Sequence, residues 1–131
     1  MNTYEMYQQL MSSSTVNNDH ESQCGIMVTQ WYENRRNIEV LEQRMKEYAQ
    51  DLHRTATVML REMAAGVHTS GSWAMKYARD FEECEQRRKE RYERSNFLEN
   101  YLAKFVDGAK EMFKQERKER TELAETYWQQ Q

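Results

Sequence analysis

Apolar residues recur along most of the chain at alternating intervals of three and four. Between residues 23 and 65 this series reads Cys24, Met27, Trp31, Asn34, Ile38, Leu41, Met45, Tyr48, Leu52, Thr55 and Met59. Between residues 73 and 128 a second series reads Trp73, Tyr77, Phe81, Cys84, Arg88, Arg91, Ser95, Leu98, Leu102, Phe105, Ala109 and Met112. A repeat of about 3.5 residues is typical of helices that pack along a coiled-coil seam. The pattern therefore predicts two long helices, over 23–65 and 73–128.

A short segment bracketed by two glycines separates the two series. Gly66 follows the first series, and glycine is favoured just past the end of a helix because it adopts a left-handed backbone at little cost. Ser72 precedes the second series and is a good N-cap residue. We therefore predict a turn over 66–72 that folds the two helices into an antiparallel hairpin.

The N-terminal residues form a third, shorter pattern. Over 2–11 the larger apolar side chains stand at helical spacing, which predicts a short amphipathic helix. Residues 12–22 are polar and rich in turn-forming residues, which indicates a linker. A helix of about ten residues is marginal by itself in water, so it needs a surface to pack against.

These elements predict the fold class and the domain organisation. We expect one all-α domain over 1–131: an elongated antiparallel helical hairpin, or coiled coil, with a short N-terminal helix. Two helices alone bury only a narrow seam. We therefore expect the hairpin to be completed into a bundle, either by self-packing of the N-terminal helix or by oligomerisation.

Polar residues interrupt the predicted seam at two places. Asn34 stands between Trp31 and Ile38, where a single buried asparagine often sets helix register or oligomeric state; the other interpretation is a helix end or a local distortion. Farther along, Arg88, Arg91 and Ser95 offer no apolar side chain. Either the aliphatic stems of the arginines cover the opposite helix, or a partner fills this part of the seam.

The open end of the predicted hairpin is the candidate docking surface. Gly108 lies beside exposed aromatic positions, and glycine lets another helix approach closely. The occupant would be the chain's own N-terminal helix, a second copy or a different protein. Aromatic residues near the C-terminus would otherwise form an exposed patch. The predicted partner-binding residues are Tyr32, Phe97, Tyr101, Gly108, Phe113, Tyr127 and Trp128.

Composition and charge narrow the classes of function. The chain has no proline, 31% charged and 38% hydrophobic residues, and a formal net charge of −3. Such a balanced charge disfavours general binding to nucleic acid or to anionic membranes. The longest apolar runs are too short to span a bilayer. Two cysteines and no visible secretory signal predict a cytoplasmic or otherwise intracellular, reducing location.

No constellation of residues predicts catalysis, a metal site or a cofactor. No histidine has a glutamate three residues before it, as bundle metal sites require. Cys24 and Cys84 fall in different layers of the hairpin, and the sequence has no glycine-rich phosphate loop. The basic run from Arg87 to Arg94 is interleaved with glutamates, which is typical of a solvated helix face.

The sequence therefore favours a non-enzymatic coiled-coil scaffold, adaptor or assembly chaperone that acts through helix–helix contacts with a protein partner or with itself, a dimer being favoured. The alternative is a helical protein that binds nucleic acid or a membrane surface through the Arg87–Arg94 face. In its period and composition the hairpin resembles stalk proteins of type III secretion and flagellar export, spectrin-like repeats and membrane-bending crescent dimers. No specific motif in the chain distinguishes among these three groups.

Overall fold

The computed structural model describes residues 1–14, 21–67 and 71–129, with only the backbone described for 21, 22, 127 and 128. These residues form four helices: α1 (Thr3–Ser14), α2 (Glu21–Ala64), α3 (Ser72–Phe105) and α4 (Ala109–Gln129). The described part of the chain contains no strand. The predicted all-α class is confirmed, and the packing of α2 against α3 fits a helical hairpin or bundle.

The N-terminal helix is longer than the predicted 2–11. Asn2 caps α1, because its side-chain oxygen accepts a hydrogen bond from the backbone N–H of Glu5 at 2.8 Å. The Asn2 amide also donates to the Glu5 carboxylate at 3.2 Å. The helix continues to Ser14, so it includes the first residues of the predicted linker 12–22. Residues 15–20 lie outside the described residues.

Helix α2 ends at the predicted turn in a Schellman motif. Gly66 has a φ of 78°, and its N–H donates to the carbonyl oxygen of Met63 at 3.0 Å. The N–H of Val67 donates to the carbonyl oxygen of Glu62 at 2.9 Å. These two hydrogen bonds supply donors to two carbonyl groups that have no partner within the helix. Residues 68–70 of the predicted turn lie outside the described residues.

The second predicted helix, 73–128, is divided in the structure. Helix α3 ends at Phe105 and α4 begins at Ala109. Gly108 sits in the break with a φ of 79°, a left-handed conformation that only glycine adopts cheaply. The prediction missed the break because the apolar period continues through it: Val106 and Ala109 are both buried.

One compact unit comprises Met1–Arg36 and Glu93–Gln131, and all four helices contribute to it. Its helices share one apolar core, in which α1 buries Met6 and Leu10. The N-terminal helix therefore packs on its own chain, which was one of the predicted ways to complete a bundle. The buried members of this core are Met6, Leu10, Cys24, Val28, Trp31, Leu98, Leu102, Val106, Ala109 and Phe113.

The other compact unit comprises Asn37–Tyr92 and contains only segments of α2 and α3. Glu42 on α2 lies near both Arg88 and Tyr92 on α3. The buried core is small: Leu41, Met45 and Cys84, with Tyr48 and Phe81 packed against it. Towards the turn, from residue 46 to 64 and from 72 to 83, no side chain is fully buried.

Candidate protein-contact surface

Tyr32, a predicted partner-binding residue, is covered by the chain's own N-terminal helix. Its ring centroid lies 4.6 Å from that of Tyr7 and 6.3 Å from that of Tyr4. Aromatic pairs at these distances add stabilisation beyond simple area burial. Of the three predicted occupants of this surface, α1 is the one that the structure places there.

Phe113 lies in the core, although the sequence placed it on an exposed contact patch. Its side chain is 1% exposed, and its ring centroid lies 5.5 Å from that of Trp31. Phe113 belongs to α4, which packs its apolar side into the core shared with the other three helices. Phe113 is therefore not available to a partner in this structure.

Phe97 and Tyr101 remain at the surface of the same unit. Phe97 is 58% exposed, and the guanidinium carbon of Arg94 lies 5.3 Å from its ring centroid. Tyr101 is half-buried, and its ring centroid lies 4.8 Å from that of Phe105. These residues form a narrow aromatic strip in which each ring already contacts a neighbour on α3.

Gly108 has a backbone role and does not mark a close approach between helices. A Cβ atom added to Gly108 would meet no other atom within 4 Å. An open pocket of about 370 Å³ adjoins it, lined by residues of α1 and α4. Within this pocket Glu116 pairs with Arg35, and Glu119 lies 4.0 Å from the N-terminal amine.

Tyr127 and Trp128 were also predicted as contacts, but their side chains lie outside the described residues.

A buried polar network that the sequence analysis missed lies close to Asn34, which is 4% exposed. Arg35 donates from Nε to Ser95 Oγ at 3.0 Å, and its Nη1 lies 2.9 Å from Glu116 Oε1. Its Nη2 lies 3.4 Å from Glu99 Oε2, which also accepts a hydrogen bond from Ser95. Ser95, noted from sequence as an apolar gap, is thus satisfied within the chain. The register-setting role of Asn34 stays a prediction.

A different surface, in the unit 37–92, is open and apolar. The hydroxyl of Tyr92 donates to Glu42 Oε1 at 2.9 Å, so these two residues lie on the same side of the hairpin. Residues seven apart on a coiled-coil helix keep the same side. Steps of seven from Glu42 reach Ala49, Ala56 and Met63, and steps of seven back from Tyr92 reach Glu85 and Ala78.

The neighbours of these residues three or four positions away are also largely apolar, and they extend the surface on both helices. We call the surface the alanine–methionine face. Leu60, Met63 and Met75 are 66%, 61% and 67% exposed. The polar neighbours include His53 and Lys46 on α2 and Glu82 on α3, all of them exposed. The face consists of Ala49, Leu52, Ala56, Met59, Leu60, Met63, Ala74, Met75, Ala78 and Phe81.

Sequence reasoning missed this face because it followed only the apolar seam between the two helices. Alanines beside a seam give a weak apolar signal, and they are common on solvated helices. The deciding information is which sides of α2 and α3 coincide, and the contact between Tyr92 and Glu42 supplies it.

No protein-family model, curated protein or solved structure matches this chain. None of the described helices is long and apolar enough to cross a membrane. In the same residues no group of three histidine, cysteine, aspartate or glutamate side chains is arranged to hold a metal ion.

Proposed function

We propose that the protein is a non-enzymatic helical scaffold or adaptor, or an assembly chaperone, that acts through helix–helix contacts at the alanine–methionine face. The observation that carries this proposal is the contrast between the two compact units. One packs parts of four helices around a shared core. The other has two helix segments and leaves large apolar side chains open towards the turn.

The energy available at this face favours a protein contact. Fully burying a leucine or methionine side chain contributes about 1.5–3 kcal/mol. Leu60, Met63 and Met75 are each more than half exposed, so together they offer several kcal/mol to a covering helix. Methionine also adapts its shape to different partners.

The alanines determine which kind of partner fits. Ala49, Ala56 and Ala78 lie along the middle of the face, where short side chains let another helix axis come close. A covering helix would insert its larger side chains between the methionines. This arrangement suits an amphipathic helix or a helical hairpin.

Site-specific photo-cross-linking in the cells that make the protein tests this proposal. A photoreactive residue replaces Leu60 or Met75, and Leu123 serves as the control because it is 71% exposed but lies in the other unit. We expect discrete protein–protein products from the two face positions and none from the control. Equal cross-linking at all three positions, or none at Leu60 and Met75, would contradict the proposal.

The charged residues at Arg87–Arg94 support the alternative less well. Arg88 lies 3.9 Å from Glu42, and Lys89 lies 3.8 Å from Glu85. Arg94 donates to the side chain of Gln30 at 3.1 Å. A surface that binds phosphate groups needs cations that are not already occupied by carboxylates. No specific contact therefore favours binding of nucleic acid or of a membrane surface.

A further inference from the structure

We infer that the pocket between α1 and α4 binds a linear aliphatic diamine, a molecule with a protonated amine at each end and an apolar chain between them. This ligand site is independent of the alanine–methionine face and goes beyond the proposed function. The pocket has a volume of about 370 Å³, within the roughly 300–1,000 Å³ of small-molecule sites. All of its lining residues belong to the compact unit that contains α1 and α4.

The pocket is elongated along α4. Its lining residues on that helix recur at helical spacing from Glu111 through Met112 and Gln115 to Glu119, so they form one stripe on one side of the helix. From Glu111 to Glu119 the helix rises about 12 Å. Helix α1 forms the opposite wall, to which it contributes Met6. A long, slender ligand fits such a groove between two helices better than a compact ligand does.

Methionine side chains form the apolar part of the lining. Met6 and Met112 line the pocket from opposite helices, and Met1 adds a third thioether. Met6 is 2% exposed and belongs to the core of this unit, which fixes its position. Thioether side chains are flexible and adapt to the shape of an apolar group. The lining therefore suits the polymethylene chain of a ligand.

The charged side chains of the lining are all negative. Glu111, Glu116 and Glu119 line the pocket, and no described lysine, arginine or histidine does. Carboxylates that face the same cavity repel one another, and a cation between them relieves that repulsion. The pocket therefore favours a positively charged ligand over a neutral or an anionic one.

Other groups of the chain neutralise the three glutamates to different extents. Glu116 is 15% exposed and pairs with Arg35 at 2.9 Å and with Arg120 at 3.0 Å, so its charge is already compensated. Glu119 is 45% exposed, and the cation nearest to it is itself an ammonium, the amine of Met1 at 4.0 Å. So long and exposed a contact contributes little. Glu111 is exposed and has no ion pair with another described residue.

The separation of Glu111 and Glu119 determines the length of the ligand. One ammonium group cannot pair with both carboxylates, because they start about 12 Å apart along the helix. An extended polypeptide gains about 3.3–3.6 Å for every three bonds, so a chain of nine bonds reaches about 10–11 Å. The nitrogen atoms of 1,8-diaminooctane are separated by such a chain. The flexible glutamate side chains can cover the small remaining distance.

Titrations followed by the backbone amide signals in NMR test the inference, because they report both where a probe binds and how tightly. The probes are 1,8-diaminooctane, octylamine with one amine on the same chain, and 1,4-diaminobutane with two amines on a shorter chain. The buffer has low salt, since ions screen charges at an open site. We expect 1,8-diaminooctane to shift the signals of Gly108, Met112 and Gln115, with a dissociation constant on the order of 1 mM.

The two comparison probes should bind more weakly than 1,8-diaminooctane. Each can reach only one of the two carboxylates at a time, so each forms one ion pair fewer. We expect their dissociation constants to be at least about threefold higher.

Two single variants and a matched control locate the charges that bind the diamine. Glu111→Gln and Glu119→Gln each remove one end of the site, so each should weaken 1,8-diaminooctane to the affinity of octylamine for the wild type. Glu122→Gln makes the same change at an exposed residue of α4 outside the pocket and should have no effect. Glu111 also lies in the first turn of α4, where a negative charge stabilises the helix. Circular dichroism therefore checks that each variant keeps its helix content.

Three results would overturn the inference. Equal affinity for 1,4-diaminobutane and 1,8-diaminooctane would show a general attraction to a negatively charged protein, without a site of defined length. An equal loss of affinity in Glu122→Gln and in the pocket variants would show the same. Amide signals that shift only away from the pocket would place the diamine elsewhere. The proposed function does not depend on any of these results, because the cross-linking at Leu60 and Met75 tests it separately.

Discussion

Arg35 on α2 and Glu99 on α3 form a buried ion pair, with 3.4 Å between Nη2 and Oε2 and side chains that are 7% and 1% exposed. Burying two charges costs several kcal/mol of desolvation, which their attraction and hydrogen bonds must offset. Ser95 and Glu116 supply those additional bonds to Arg35. The network thus makes a polar position of the seam compatible with a closed core.

Removing one partner of this pair should destabilise the unit that contains it. Arg35→Met leaves Glu99 buried with its main counter-charge gone, because Arg117, which is also near it, is 53% exposed and lies 3.8 Å away. We expect a loss of about 3–5 kcal/mol in the free energy of unfolding, measured by urea denaturation.

The double variant Arg35→Met with Glu99→Leu is the matched control. It removes both charges and retains apolar volume, so most of the lost stability should return. If the double variant is as unstable as Arg35→Met alone, the ion pair is not the source of the effect.

Replacing Gly108 with any residue that has a side chain should lower the stability of the protein, although space is available around this position. Its φ of 79° is strained for other residues, and nothing lies within 4 Å of an added Cβ. We expect Gly108→Ala to cost about 1–2 kcal/mol of stability through the backbone alone. Gly25→Ala is the control: Gly25 lies inside α2 and is equally open. It should gain up to about 1 kcal/mol. Thermal unfolding of both variants would show shifts in opposite directions, and a shift in the same direction would refute this role.

Variants of Phe113 and Phe97 test which of the predicted contact residues lies in the core and which lies at the surface. Phe113→Ala opens a cavity beside Trp31 in the core and should cost about 3–5 kcal/mol in the free energy of unfolding. Phe97 is 58% exposed, so Phe97→Ala should change stability by less than about 1 kcal/mol. Urea denaturation distinguishes the two, and similar losses would show that Phe113 is not part of the core.

The alternative function makes a separate prediction about salt. If the Arg87–Arg94 face bound phosphate groups, affinity for DNA, RNA or anionic liposomes would fall steeply as salt rises. We expect no measurable binding in fluorescence anisotropy or liposome flotation even at low salt. Binding that Arg87→Ala with Arg91→Ala abolishes would favour the alternative.

The sequence predicted those parts of the fold that a single physical rule determines. The alternating spacing of apolar residues predicted the pairing of α2 with α3, and Gly66 marked the end of α2. Periodicity did not predict the division at Gly108, because apolar spacing is preserved where a helix stops and another begins. A glycine inside an apolar period is compatible with both a continuous helix and a left-handed break.

The contact surface was harder to predict, because it depends on which residues remain uncovered. Sequence alone could not decide whether α1 or a partner covers Tyr32, since both would bury the same ring. Phe113 was predicted to be exposed because the segment 113–131 extends past the start of the first predicted helix at residue 23. The alanine–methionine face became visible once Tyr92 and Glu42 showed which helix sides coincide.

The most direct test of the central claim is methionine oxidation footprinting of the unmodified protein, dilute and purified or inside the cells that make it. Met63 and Met75 are 61% and 67% exposed, and Met1, at 60%, is a matched control in the other unit. A covered alanine–methionine face predicts that Met63 and Met75 oxidise more slowly than Met1 in cells but at comparable rates in dilute solution. Comparable rates for all three methionines in both settings would contradict the claim that this face is a protein contact.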